Sequence, residues 1–140
     1  MTHGGVLQDT HNRIIRDLRI SITDRCNFRC VYCLPETEEA ANFYRPNSPT
    51  PNNNRQANSS PIYPWKPRSQ ILTFEEITRV ARVAASLGVN KIRITGGEPL
   101  LRRGVENLVS QIAAIGSIRD LSMTTNGTGF PALAKRLKEA

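Results

Sequence analysis

Three short segments alternate strictly between apolar and polar side chains: Leu18-Arg19-Ile20-Ser21-Ile22-Thr23, Lys91-Ile92-Arg93-Ile94-Thr95 and Leu121-Ser122-Met123-Thr124. A period of two marks strands, and the helical patterns between and after them argue for βαβ units and a parallel sheet. Strands of a parallel sheet are commonly apolar on both faces. These three are not. Arg19, Ser21 and Thr23, then Arg93 and Thr95, then Ser122 and Thr124 form a polar face on each. If helices cover the apolar face, the polar one looks onto something wet or liganded. A β/α barrel with a polar lumen meets that condition, and a doubly wound sheet meets it less well. The plain alternative is a sheet with one solvated face.

The helical patterns have local signals of their own. Thr73-Phe74-Glu75-Glu76 reads as a capping box, with Leu72 and Ile77 placed as a hydrophobic staple. Ile77, Val80, Ala81, Ala84 and Leu87 then recur at helical spacing, and Gly88 stands where such a helix stops. Val105, Leu108, Val109, Ile112 and Ile115 predict a second amphipathic helix ending at Gly116. A last one starts near Pro131, with Leu133, Ala134 and Leu137 on one face.

Between the first strand and the first helix, residues 36–70 break every period. Six of the nine prolines and six of the eleven asparagines lie there, so the stretch reads as a flexible surface insertion, its end tacked down by Tyr63 and Trp65. A chain of 140 residues is one domain at most. An eight-stranded β/α barrel takes about 250 residues, so three βα units do not close one. The expectation is the N-terminal part, residues 1–140, of a larger barrel domain.

Arginine outnumbers lysine 15 to 4 and the formal charge is +7. The planar guanidinium fork suits phosphates and carboxylates, which points to a polyanionic small ligand. No basic helix or aromatic RNA-binding signature points to nucleic acid. No apolar run approaches the roughly 20 residues that span a bilayer, and the first residues do not read as a secretory signal.

The three cysteines, Cys26, Cys30 and Cys33, lie within eight residues. Their odd number and close spacing read as a metal or cluster site in a reducing compartment, hence a cytoplasmic protein. Three thiolates suit three irons of a [4Fe–4S] cluster and leave the fourth iron open for a ligand. The alternative is zinc, completed by His3 or His11, although neither fits the usual paired spacing. Two further motifs end strands. Thr95-Gly96-Gly97-Glu98-Pro99 allows close backbone approach to a ligand, and Glu98 offers an acceptor to an amino group. Thr124-Thr125-Asn126-Gly127 is first a turn signal. Cysteine loop, glycine turn and Asn-Gly turn all fall at strand C-terminal ends, where β/α barrels carry their chemistry.

The cysteine spacing followed by Gly96-Gly97-Glu98-Pro99 resembles the radical S-adenosylmethionine superfamily. Within it, Asp17 to Pro35, Leu72 to Glu76, Lys91 to Arg103 and Thr124 to Gly127 resemble the GTP 3′,8-cyclase family, which acts first in molybdenum cofactor biosynthesis. The resemblance covers residues 13–35 and 71–140. It implies a partial (β/α)6 barrel. It implies a [4Fe–4S] cluster on Cys26, Cys30 and Cys33, and S-adenosylmethionine at Tyr32, Gly96, Gly97 and Glu98. It implies GTP at Arg19, Arg93 and Thr124. A 5′-deoxyadenosyl radical would take a hydrogen from the ribose 3′ carbon of GTP, which would then attack C8 of guanine. Family members also carry a second [4Fe–4S] cluster on C-terminal cysteines, and this sequence has none after Cys33. An electron donor is implied as a partner, neither nucleic acid nor membrane is, and a homodimer of the full-length protein is left open. The competing functions are another radical S-adenosylmethionine enzyme, such as a peptide-modifying one, and a non-catalytic zinc module. Metal analysis separates the last from the first two.

Overall fold

The computed structural model describes residues 6–30, 32–33 and 65–140. Most of the 36–70 insertion, Tyr63 included, lies outside the described residues. The chain divides into two compact units, one of Met1–Arg25 with Pro67–Ala140, the other of Cys26–Lys66.

The first unit is built on a parallel sheet of β1 (Asp17–Ser21), β2 (Lys91–Thr95) and β3 (Asp120–Met123), in that order. The alternating stretches thus become the strands: β2 keeps the expected bounds, while β1 and β3 each start one residue earlier and end sooner, where the ladder runs out. Thr23 and Thr124 lie just past β1 and β3, in the loops. Three helices, α1 (Phe74–Ser86), α2 (Val105–Ala113) and α3 (Phe130–Glu139), complete the unit. The register aligns Arg19 with Arg93 and Arg93 with Ser122, so the residue parity seen in the sequence is kept across the sheet. Ile20, Ile22, Ile92 and Ile94 make the other face, buried against Ile77 and Ala81 of α1 and Val105, Leu108 and Ile112 of α2. Leu133 and Leu137 of α3 pack on the same core, though no residue of α3 is buried. The consecutive strand order with all helices against one face leaves the opposite face for the polar side chains.

The capping box forms: the Thr73 hydroxyl accepts from the Glu76 amide at 3.2 Å and the Glu76 carboxylate from the Thr73 amide at 2.7 Å. Such a cap contributes about 1 kcal/mol. Leu72, the outer half of the expected staple, is 45% exposed, while Ile77 is fully buried. Val80, expected on the apolar stripe, is 45% exposed as well. The buried stripe runs instead through Ile77, Thr78 and Ala81. Burial of Thr78 is possible because its hydroxyl reaches the Phe74 carbonyl (2.8 Å) and the Gln111 side chain (2.7 Å), linking α1 to α2. Helix α2 stops at Ala113 rather than reaching Ile115. Residues 114–118 tighten into turns that carry Ile115 and Ile118 back to the core, and the Arg119 amide docks on the Asn90 carbonyl before β3 starts.

A short hairpin precedes β1. Gln8 and Ile14 form an antiparallel bridge, and the Leu7 amide donates to the Leu87 carbonyl beyond α1. Among the described residues no helix is long and apolar enough to cross a membrane.

Candidate functional site

The polar face of the sheet sorts its charges along the strand direction. Its first row is Asp17, Lys91 and Asp120, with signs that alternate from strand to strand. Its second row is Arg19, Arg93 and Ser122. Here two guanidinium groups stand on neighbouring strands, an arrangement that is unfavourable without an anion. Both arginines are exposed, and the Arg93 Nε donates to the Ser122 hydroxyl at 3.2 Å. Ser21 and Thr95 follow in the third row. Exposed Thr124 comes directly after β3, and its amide donates to the Ile94 carbonyl at 2.9 Å. A cationic row followed by hydroxyls suits a phosphorylated ligand lying along the strands. The structure thus sets Arg19 and Arg93 side by side on one face, with Thr124 in the loop that follows β3.

The loops at the C-terminal ends of the strands are knitted together. The Gly97 amide donates to the Thr23 carbonyl at 2.7 Å and the Glu98 amide to the Arg25 carbonyl at 2.8 Å. This close approach is why the turn requires glycine. A Cβ on Gly97 would overlap the Arg25 carbonyl, and Gly96 holds φ at +146°, where side chains are rarely tolerated.

Glu98 is 1% exposed. Its Oε1 accepts from the Leu100 amide at 2.9 Å and from the Thr125 hydroxyl at 2.7 Å, and its Oε2 accepts from the Asn126 amide at 2.6 Å. The carboxylate read from the sequence as an acceptor for a ligand amino group is therefore occupied by donors of this chain. It ties the glycine turn to the Asn-Gly turn. That turn is closed by side-chain caps, with the Gly127 amide on the Thr125 hydroxyl and the Thr128 amide on the Asn126 side chain, each at 2.9 Å.

Two residues of this end escape sequence reasoning. Thr125 carries no signal beyond its place before Asn-Gly. Arg102 is the other. Its Nη1 donates to the Ile22 carbonyl and its Nη2 to the Leu72 carbonyl, each at 2.5 Å, and the guanidinium lies 4.3 Å from the Phe74 ring centroid. Burial holds its pKa below the usual arginine value, with Arg68 pushing the same way and Glu75 opposing. It stays a cation, since guanidinium groups do not deprotonate in proteins. It fastens the end of β1 to the start of α1.

The second unit carries the cysteines. Cys26 is half-buried, and Cys30 and Cys33 are exposed. The Phe28 amide donates to the Cys26 sulfur at 3.4 Å, and the Cys33 amide closes a turn on the Cys30 carbonyl at 3.0 Å. The Arg29 guanidinium donates to the Cys26 and Phe28 carbonyls and stacks 5.3 Å from the Trp65 ring centroid. Tyr32 is exposed. The donor set fits an iron–sulfur cluster: accessible thiols, one already accepting an amide hydrogen bond of the kind that tunes such clusters. Among the described residues, however, no three His, Cys, Asp or Glu side chains are gathered closely enough to hold a metal ion.

Residues 20–140 match the family model described as the Radical SAM superfamily. Among curated proteins, the GTP 3′,8-cyclase of Staphylococcus epidermidis is 45% identical over 135 residues, covering 96% of this chain and 34% of that protein. The GTP 3′,8-cyclase of Pelotomaculum thermopropionicum is 46% identical over 134 residues, with the same coverage of 96% and 34%. That of Acidothermus cellulolyticus is 42% identical over 134 residues, covering 96% of this chain and 32% of that protein. The chain therefore spans about a third of the length of the curated relatives it matches.

Proposed function

The chain belongs to the Radical SAM superfamily, and from that premise we propose that it is the N-terminal part of a GTP 3′,8-cyclase. The reaction is the radical cyclisation of GTP to (8S)-3′,8-cyclo-7,8-dihydroguanosine 5′-triphosphate in molybdenum cofactor biosynthesis. The three strands are then the first of a partial (β/α)6 barrel whose lumen is the polar face. The observation that carries the substrate is the row of Arg19, Arg93 and Ser122, two like charges side by side on an exposed face.

Each group has a task in this reading. Arg19 and Arg93 bind the nucleotide through charge-assisted bonds, and the Thr124 hydroxyl contacts it where the lumen opens. Gly96 and Gly97, whose backbone lies against the Thr23–Arg25 segment, receive S-adenosylmethionine, with Tyr32 as a further contact. Cys26, Cys30 and Cys33 would hold a [4Fe–4S] cluster, with a second cluster on a part of the protein beyond this chain. A cluster held there would supply one-electron chemistry to S-adenosylmethionine. The polypeptide's own contribution is to bind, orient and keep water from the reacting carbons. Three cysteines within eight residues suit a reducing, cytoplasmic setting.

The test is paired binding to the iron-loaded protein under anaerobic conditions. Arg19→Ala is expected to weaken GTP binding about ten- to a hundredfold, the worth of one charge-assisted hydrogen bond. Binding of S-adenosylmethionine should change far less. Equal GTP affinity in wild type and variant would overturn the role of the arginine row.

A further inference from the structure

We propose that Glu98 is a positioning residue for the nucleotide side of the site and not a ligand of S-adenosylmethionine. This rests on the function proposed above, because it assigns GTP to Thr124. The carboxylate is 1% exposed and accepts three hydrogen bonds, from the Leu100 amide, the Thr125 hydroxyl and the Asn126 amide. Two of the three donors belong to the loop after β3, on the residues that follow Thr124. The third belongs to its own turn. A buried carboxylate must have its acceptor sites filled by donors, and here the protein fills both oxygens.

The geometry explains why the acid is needed. Oε1 serves two donors and Oε2 one, so every contact requires an acceptor. In Glu98→Gln one of the two positions becomes an NH2 group. If the amide oxygen keeps Leu100 and Thr125, the NH2 faces the Asn126 amide, donor against donor. The turn after β3 then opens on that side. Thr125 reaches the same carboxylate and the Gly127 amide. Backbone bonds at Thr23 and Arg25 hold the glycine turn independently of the Glu98 side chain. Loss of the carboxylate contacts therefore displaces Thr124 and spares Gly96 and Gly97. A ligand role for Glu98 makes the opposite demand: S-adenosylmethionine binding falls and GTP binding follows only indirectly.

The experiment compares Glu98→Gln, Thr125→Val and Thr125→Ser with wild type in the iron-loaded protein. Dissociation constants for GTP and for S-adenosylmethionine are measured separately by anaerobic calorimetry. Hydrogen exchange of residues 124–128 and of α1 is measured without ligand. Glu98→Gln and Thr125→Val are each expected to weaken GTP binding about tenfold, roughly the worth of one hydrogen bond to a charged group. S-adenosylmethionine affinity should stay within about twofold, well under the 1.4 kcal/mol that a tenfold change represents. Thr125→Ser, which keeps the hydroxyl, should restore GTP binding. Exchange should accelerate at 124–128 and not in α1, which also reports that the variants fold. A loss of S-adenosylmethionine affinity in Glu98→Gln larger than its loss of GTP affinity overturns the proposal. So does unchanged exchange at 124–128 in both Glu98→Gln and Thr125→Val. If wild type binds neither ligand, the functional reading fails, and the exchange comparison still decides whether Glu98 holds the turn.

Discussion

The loop that follows β1 and the loop that follows β2 carry the two densest motifs of the chain, and they are organised by different means. The glycine turn after β2 is held by the protein itself. Two backbone bonds run to Thr23 and Arg25, and a buried carboxylate reaches the turn after β3. The cysteine segment shows, among the described residues, short-range bonds at Cys26, Phe28 and Arg29 and the stacking of Arg29 on Trp65. Its thiols are not gathered as a metal site among the described residues. A loop that binds an organic ligand through backbone groups has to be built before the ligand arrives. A loop whose groups are metal ligands is completed by the metal, whose binding energy is also ordering energy.

The largest expected effect breaks the comparison at the cysteines. Cys30→Ala should abolish assembly of the cluster, read as iron and acid-labile sulfide, while far-UV circular dichroism and the melting transition of the sheet unit stay as in wild type. The thiol is exposed and packs little, so its removal costs chemistry and not fold. Retention of iron and sulfide at wild-type levels would show that this thiol is not a cluster ligand.

A smaller effect tests the preformed loop. In Gly97→Ala the new Cβ meets the Arg25 backbone, so backbone rather than a flexible side chain has to shift. Overpacking of this kind costs about 1–3 kcal/mol, and loss of the two backbone bonds adds to it. Gly127→Ala is the control. That glycine sits at φ +83° with nothing within 4 Å, so only the left-handed backbone is strained, at about 1–2 kcal/mol. Chemical denaturation should rank Gly97→Ala as the more destabilised of the two. The reverse order would mean that the contact between the turn after β2 and the end of β1 is dispensable.

What the sequence reveals here follows the range of the interaction. Strand parity is local, so the polar face with Arg19, Arg93 and Ser122 is legible from alternation alone, and so is the Thr73–Glu76 cap. The orientation of α1 is less so. Val80 fits the helical period as well as Ala81 does, and the Gln111 side chain that gives an inward Thr78 its second partner lies 33 positions away. Arg102 is illegible for the same reason, because its partner carbonyl on Ile22 lies 80 positions earlier. Glu98 is legible as a special residue and not as to its partners. Its motif marks a carboxylate beside a glycine turn, while the donors that claim it come from Thr125 and Asn126 in a separate turn.

The smallest expected effect concerns a third loop, built on the same plan as the glycine turn but in water. In the hairpin before β1, Asp9 Oδ1 accepts from the His11 amide at 2.8 Å and the Arg13 amide at 3.0 Å, and Oδ2 pairs with Arg13 Nε at 2.7 Å. Asn12 completes the turn at φ +61°, a conformation asparagine tolerates better than most residues. The backbone N–H of Arg13, then its side chain, then the His11 amide hold the Asp9 carboxyl below its ordinary value of 3.8. A carboxylate with a depressed pKa stabilises the fold above its unfolded pKa, and that stability is lost as pH falls through the lower, folded one. The hairpin should thus be indifferent to pH from neutrality down to the ordinary carboxylate range and loosen only below it. Titration of the Asp9 carboxyl by NMR, with the His11 and Arg13 amide shifts followed in parallel, should give one common midpoint below that of a free aspartate. Arg13→Ala keeps the backbone amide, the largest single cause, and removes the ion pair. The midpoint should therefore return only part of the way. A full return would assign the turn to the exposed ion pair, which salt screens, and would separate this loop from the hydrogen-bonded plan that holds Glu98.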